Sequence, residues 1–195
     1  MEYYLALAMF AFAGSITPGP NNLMLLASGL NHGIKRSLPH FLGVSMGFCS
    51  LIILVGLGLG TVLLASPTAF AVIKVFGVSY LLLLAWKIAH AGDVRVIEGA
   101  RNPLSFFQAA VFQYVNPKAW TMAVGAVATF SNHESTVTTL LVITIAFFAV
   151  GVISQGAWLV AGQSLHRFLT EGRWQNFFNI TMSILLVLSI IPMTL

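Results

Sequence analysis

At 195 residues, 58% of them hydrophobic and only 7% charged, the chain cannot clothe a water-facing surface, for which a soluble domain uses about 25% Asp, Glu, Lys and Arg. Its net charge is +4, but nine basic residues scattered through apolar sequence make no stripe that could follow a phosphate backbone, so nucleic acid is excluded as a partner. The mean hydropathy is +0.92, and the apolar residues gather in blocks of the roughly 20 residues that cross a bilayer. The composition implies an integral membrane protein whose solvent is lipid.

The blocks predict six helical spans, at about 4–30, 39–64, 68–90, 104–130, 137–165 and 175–193. The chain starts MEYYLALAMF, with Glu2 and no Lys or Arg, so it lacks the basic start of a secretory signal and the first span is expected to stay in the membrane. That span is interrupted by SITPGPNN at 15–22. Pro18 removes the hydrogen-bond partner of the Gly14 carbonyl, and Pro20 that of Ile16. Gly43, Gly47, Gly56, Gly58 and Gly60 give span two a small face, suited to close helix packing or to sliding between states. Span three closes on GVSYLLLLAWK, where Tyr80 fits either packing or a ligand contact. Span four is interrupted by QYVNPKAW at 113–120, where Pro117 frees the Gln113 carbonyl. Pro39 and Pro103 fall in predicted first turns, Pro67 in a loop and Pro192 near the end. Connections are short, the longest being 87–103, and no block has the look of a soluble domain.

Lys35, Arg36, Lys87, Arg95, Arg101, Arg167 and Arg173, seven of the nine basic residues, follow spans one, three and five. The positive-inside rule puts these connections in the cytoplasm and both termini outside. TPG at 17–19 and NPK at 116–118 are 99 residues apart, each near the middle of the first span of a three-span half. Paired interruptions in two halves of odd span number are the pattern of an inverted-topology repeat, with the binding site where the breaks meet. The expected fold class is therefore all-α: a polytopic membrane protein with six transmembrane helices in two inverted three-helix repeats with broken first helices. The single membrane domain divides into repeat one at about 1–90, a cytoplasmic loop at about 91–103 and repeat two at about 104–195.

ITPGPNN, GVSYLLLLAWK, QYVNPKAW and WLVAGQSLHRFL together resemble the LysE/RhtB family of bacterial amino-acid exporters, the LysE family translocators. The likeness covers the whole chain. It implies a small multi-pass protein of the bacterial inner membrane that exports amino acids or related metabolites, usually coupled to the proton gradient. Members export lysine, threonine, homoserine, leucine and cysteine-type compounds, so the resemblance does not fix the substrate.

The residues themselves suggest a site. Thr17, Pro18, Gly19, Pro20, Asn21 and Asn22 flank the first break, where a helix restarting after Pro20 offers free N–H groups and the positive end of its dipole to a carboxylate. The asparagines suit a zwitterion, and they equally suit the carbonyls that the prolines free. Gln113, Tyr114, Asn116, Pro117 and Lys118 flank the second break. Lys118 either meets a substrate carboxylate deep in the membrane or snorkels to the cytoplasmic interface. Trp86, Trp120 and Trp158 fit packing or an interfacial belt better than substrate contact.

All five acids, Glu2, Asp93, Glu98, Glu134 and Glu171, fall at termini or loops. A dibasic substrate would want an anionic partner in low dielectric, so neutral zwitterionic substrates are favoured, and anionic ones more weakly. A proton relay would have to use His40, Lys118 or the substrate; the alternative is a facilitator without proton coupling. The histidines have no ligand spacing backed by carboxylates, so neither a metal nor a cofactor is expected, and single Cys49 allows no thiolate cluster. With no nucleophile and base, metal pair or acid dyad, an intramembrane enzyme is disfavoured. The expectation is a secondary exporter working by alternating access at a midplane site between TPGPNN and NPK. The alternative is a passive channel or a non-transporting membrane subunit. A homodimer is compatible with the glycine faces.

Overall fold

The structure is a computed structural model, and it describes residues 1–59, 65–90, 102–131, 136–166 and 172–191. The described residues form α1 (Glu2–Ile16), α2 (Pro20–Leu54) with a π-helical extension (Val55–Leu59), α3 (Pro67–Ala89), α4 (Phe106–Phe112), α5 (Pro117–Phe130), α6 (Thr136–His166) and α7 (Gly172–Leu188), with no strand among them. Most of the expected cytoplasmic loop lies outside the described residues, as do Asp93, Arg95, Glu98, Arg101, His133, Glu134, Arg167, Glu171 and Pro192.

Among the described residues, two stretches are long and apolar enough to cross a membrane by length and composition: Pro20–Leu59, with mean hydropathy 2.2, and Val137–Leu165, with 2.4. The 15 residues of α1 reach about 22 Å at 1.5 Å per residue, short of a hydrocarbon core of about 30 Å. Its shortness is the work of the break. Outward faces are apolar; Leu57, Phe107, Ile145 and Ile153 are each more than 60% exposed, which suits lipid and not water.

Both breaks end in a proline that opens a new helix. Pro20 starts α2 behind Gly19, and Pro117 starts α5 behind Asn116, at the position where a missing N–H is least needed. Counted by helix start, the breaks are 97 residues apart rather than the 99 of the TPG/NPK alignment. The slip arises because the breaks are built differently. The first is extended, with Thr17 at φ −60°, ψ 138° and Gly19 at φ −172°, ψ 176°. The second is a run of tight turns, Tyr114 N–H to Val111 O (3.0 Å), Val115 N–H to Phe112 O (3.1 Å) and Asn116 N–H to Gln113 O (3.4 Å).

The connection expected at 31–38 shrinks to one residue. Only Gly33 (φ 74°, ψ 167°) leaves the helical region there, a backbone setting that glycine alone takes cheaply. Ser28 Oγ and Ser37 Oγ are 2.7 Å apart, whereas nine residues of straight helix would separate them by about 13 Å. α2 therefore doubles back at Gly33 into two arms, 20–32 and 34–54. Gln163 of α6 closes the turn by accepting from the Ile34 N–H at 2.6 Å. Pro39 consequently sits inside the second arm rather than in its first turn. Pro103 precedes Ser105, the N-cap of α4, and Pro67 opens α3 rather than lying in a loop.

Two apolar clusters hold the helices together. One joins α1, the second arm of α2, α5 and α6 around Leu7, Phe48, Trp120 and Phe147. The other joins the first arm of α2, α3, α4 and α7 around Met24, Leu81, Phe112 and Leu186. Each break separates a helix of one cluster from a helix of the other, so both breaks lie where the clusters meet. α2 and α6 touch backbone to backbone: a Cβ on Gly29 would strike the Leu159 carbonyl, and one on Gly162 the Leu26 carbonyl. Gly43 and Gly47 likewise face the α4 backbone at Phe106 and Ala110. That small face is used inside the chain, so it supplies no argument for a dimer. Gly162→Val forces the two backbones apart and is expected to destabilise the protein by at least about 1–3 kcal/mol, read as a lower apparent Tm of the detergent-purified protein.

Candidate transport site at the two helix breaks

Ending α1 at residue 16 leaves its last carbonyls without helical partners, and each receives one from elsewhere. Thr17 Oγ1 donates to Gly14 O (3.0 Å). Asn22 Nδ2 donates to Ser15 O (2.7 Å) and Thr17 O (2.9 Å). The Trp158 indole N–H reaches Ile16 O at 3.3 Å. Lys118 Nζ donates to Thr17 O (2.8 Å) and Thr17 Oγ1 (2.9 Å). The ammonium thus rests on the negative end of the α1 dipole, a favourable seat that requires no carboxylate. Of its three N–H donors, two are engaged there and one is left for a ligand.

The second break is satisfied in the same manner. The Trp120 indole donates to Tyr114 O (2.8 Å), and Asn116 Oδ1 caps α5 by accepting from the Lys118 N–H (3.1 Å). Tyr114 OH turns away to Ser50 Oγ (2.7 Å). Across the breaks, Asn21 Nδ2 donates to Gln113 Oε1 (2.8 Å) while Gln113 Nε2 donates to Asn21 Oδ1 (3.1 Å) and Ala109 O (2.9 Å). This reciprocal amide pair joins the two interrupted segments beside the Lys118–Thr17 bonds, and Gln113 is fully buried.

Between the breaks lies a cavity of about 40 Å³ whose wall includes Ser15, Gly19, Asn22, Asn116, Lys118 and Gln155. A Cβ on Gly19 would come 2.9 Å from Lys118 Cδ and Nζ, so glycine there lets the ammonium lie against the start of α2. That helix start carries no side-chain cap. A second, larger cavity of about 480 Å³ is bordered by Met24, Asn31, His40, Tyr80, Lys87 and Gln108. Along the first arm of α2, Asn21 lines the smaller cavity and Met24 the larger. Along the fourth predicted span, Gln108 lines the larger and Asn116 the smaller. Gln113 falls between these two positions on the fourth span, and its partner Asn21 stands on the wall of the smaller cavity.

The profile of the LysE type translocators matches residues 12–189. The chain belongs to this family. It is a membrane transporter and not an enzyme. The cysteine/O-acetylserine efflux proteins of Escherichia coli K12, Escherichia coli O6:K15:H31 (strain 536 / UPEC) and Shigella flexneri are each 29% identical to it over 175 residues, which cover 89% of this chain and 88% of theirs. No solved structure matches the chain.

Of the residues expected at the site of this translocator, Gly19, Pro20, Asn21, Asn22, Asn116 and Lys118 line the smaller cavity. Gln113, Tyr114, Thr17, Pro18 and Pro117 do not: the first is locked to Asn21, the second to Ser50, and the others shape the breaks. Sequence reasoning missed Gln155, whose Oε1 accepts from Ser45 Oγ at 2.8 Å, together with Ser15, Phe48 and Met122. A signal for Gln155 was present, an isolated amide in the apolar run VISQGAWLV. Trp120 and Trp158, read as packing or interfacial-belt residues, also cap the breaks. Asn22→Leu keeps the branched outline of the side chain but strands the Ser15 carbonyl and weakens the hold on Thr17. The expected cost is about 1–3 kcal/mol, measurable as a lower apparent Tm of the purified translocator.

Proposed function

We propose that this translocator is a secondary exporter of small, neutral, zwitterionic amino acids, binding them between the two breaks and moving them by alternating access. The observation that carries this reading is the placement of a lysine ammonium, an uncapped helix start and several side-chain amides around one cavity, with Glu2 the only acidic side chain among the described residues. Lys118 and the first N–H groups of α2 suit the substrate carboxylate. The Oδ1 of Asn22, whose Nδ2 is already committed to α1, suits the ammonium. Relatives named for cysteine and O-acetylserine efflux agree with a substrate of that class.

A cavity of about 40 Å³ is far below the roughly 300–1,000 Å³ of a ligand pocket, so the breaks must part to admit an amino acid. The larger cavity is bordered by Lys87 and by Asn102, which accepts from Arg36 at 3.2 Å. Basic residues mark the cytoplasmic side, so this vestibule is the cytoplasmic mouth and the Asn21–Gln113 pair closes the path beyond it. The six spans then form two inverted repeats, with both termini outside the bacterial inner membrane. Proton coupling, which the family resemblance implies, would run through His40, Lys118 or the substrate.

Efflux and counterflow from proteoliposomes preloaded with cysteine, O-acetylserine, lysine or glutamate test the reading. Saturable flux and counterflow of the neutral substrates are expected, reduced at least about tenfold in Lys118→Ala at equal insertion, the loss of one charge-assisted contact. Strong lysine export would overturn the neutral-substrate assignment, and flux that neither saturates nor supports counterflow would mean a passive channel.

A further inference from the structure

The vestibule contains a residue that the cavity at the breaks does not use. His40 lies on its wall, is only 2% exposed, and neither of its ring nitrogens has a hydrogen-bond partner. A neutral imidazole carries one donor and one acceptor, and a buried polar group left unpaired is costly. The polar residues around it are disposed otherwise. Ser28 and Ser37 bond one another across the Gly33 turn, and Asn31 pairs with Asn179. His40 is thus a binding group on the wall of a 480 Å³ chamber, with its valences unmet by the protein.

The rest of the wall says what it would bind. Tyr80, Leu84 and Lys87 fall on one face of α3, at spacings of four and three residues, and all border the chamber with His32 and His40 of α2. A phenol, an ammonium and two imidazoles are hydrogen-bond donors, and no carboxylate is found among the described residues of this wall. Such a wall takes an anion that is small and oxygen-rich, as the carboxylate of an amino acid is.

We propose that the vestibule is a second substrate subsite, which captures the carboxylate of the amino acid through His40 and Lys87 before the Asn21–Gln113 pair opens. This rests on the export reading above and adds a separate place of first binding. Capture there raises the local concentration of substrate at the closed contact without needing the breaks to move. It acts at one face of the membrane only, and that asymmetry is its signature.

Initial rates of cysteine transport in inverted and right-side-out membrane vesicles give the half-saturation concentration at each face. His40→Phe, His40→Gln and Lys87→Gln are compared with the wild type. His40→Phe and Lys87→Gln are expected to raise the half-saturation concentration about tenfold at the vestibule face, the loss of one charge-assisted contact. The half-saturation concentration at the opposite face keeps its wild-type value, the maximal rates adjusting so that the ratio of transport efficiencies at the two faces stays at its thermodynamically fixed value, and His40→Gln, which retains a donor, recovers most of the loss. Equal shifts at both faces, or none, would overturn the proposal while leaving export intact. Should His40→Phe fail to insert, Lys87→Gln decides alone, because Lys87 is exposed. A wild type without saturable transport would instead remove the export reading, and this subsite with it.

Discussion

A peptide group that loses its helical partner where water is scarce must be given another, and the polar chemistry of this chain is organised by that demand. Three prolines in interrupted helices create the demand. Thr17, Asn22, Trp158 and Lys118 meet it at the end of α1, and Asn116 and Trp120 meet it around the second break. Because these side chains are fixed by backbone atoms, they cannot wander, and the cavity they surround is preorganised. Scaffold and candidate site are the same residues. Asn22 illustrates this, since the amide nitrogen that satisfies α1 is what turns its oxygen into an available acceptor.

Against the broken helices stands one that is unbroken. The 31 residues of α6 carry Trp158 to the Ile16 carbonyl, Gln155 to Ser45 and Gln163 to the Ile34 N–H. The same helix meets the first arm of α2 at Gly29 and Gly162 without intervening side chains. A rod anchored at so many points is a poor candidate for movement. The Asn21–Gln113 contact is different: one amide pair, joining a helix start to a run of tight turns. Two neutral hydrogen bonds are exchanged for bonds to water or substrate at little net cost, so on the proposed transport reading this contact is the one that opens readily.

What could be read in the sequence follows from what acts locally. Proline stops a helix wherever it stands, so both breaks were legible, as were the long apolar helices and the absence of acids from them. The 31–38 connection was not, because Gly33 turns the chain alone while the helix-forming residues on either side continue their helices to it. Nor could the roles of Asn21 and Asn22 be divided. Adjacent residues on a helix point about 100° apart, so one reaches Gln113 and the other α1, but which does which depends on how the break is oriented. The two-residue slip between the breaks has a similar origin, since an extended break and a coiled one of similar sequence span different numbers of residues. Gln155 was legible in principle as a lone amide, yet its face of α6 is set only by packing.

Lys118 shows most clearly why depth along a sequence is a poor guide to environment. As part of one continuous helix it would be a cation far from any interface, requiring an acid or a lost proton. The break removes that dilemma by presenting the carbonyl end of α1 to it, so the positive charge is balanced by a dipole that cannot be protonated or titrated away. A dipole of about half a charge compensates a full one only in part, and the remainder is available to attract a carboxylate. Once that carboxylate belongs to a zwitterion, the ligand brings no net charge into the cavity. A second cation on the side chain would arrive with no counter-charge within reach, at a cost that low dielectric magnifies. On the export reading proposed above, discrimination against dibasic substrates needs no dedicated residue; it would follow from how the end of α1 was satisfied.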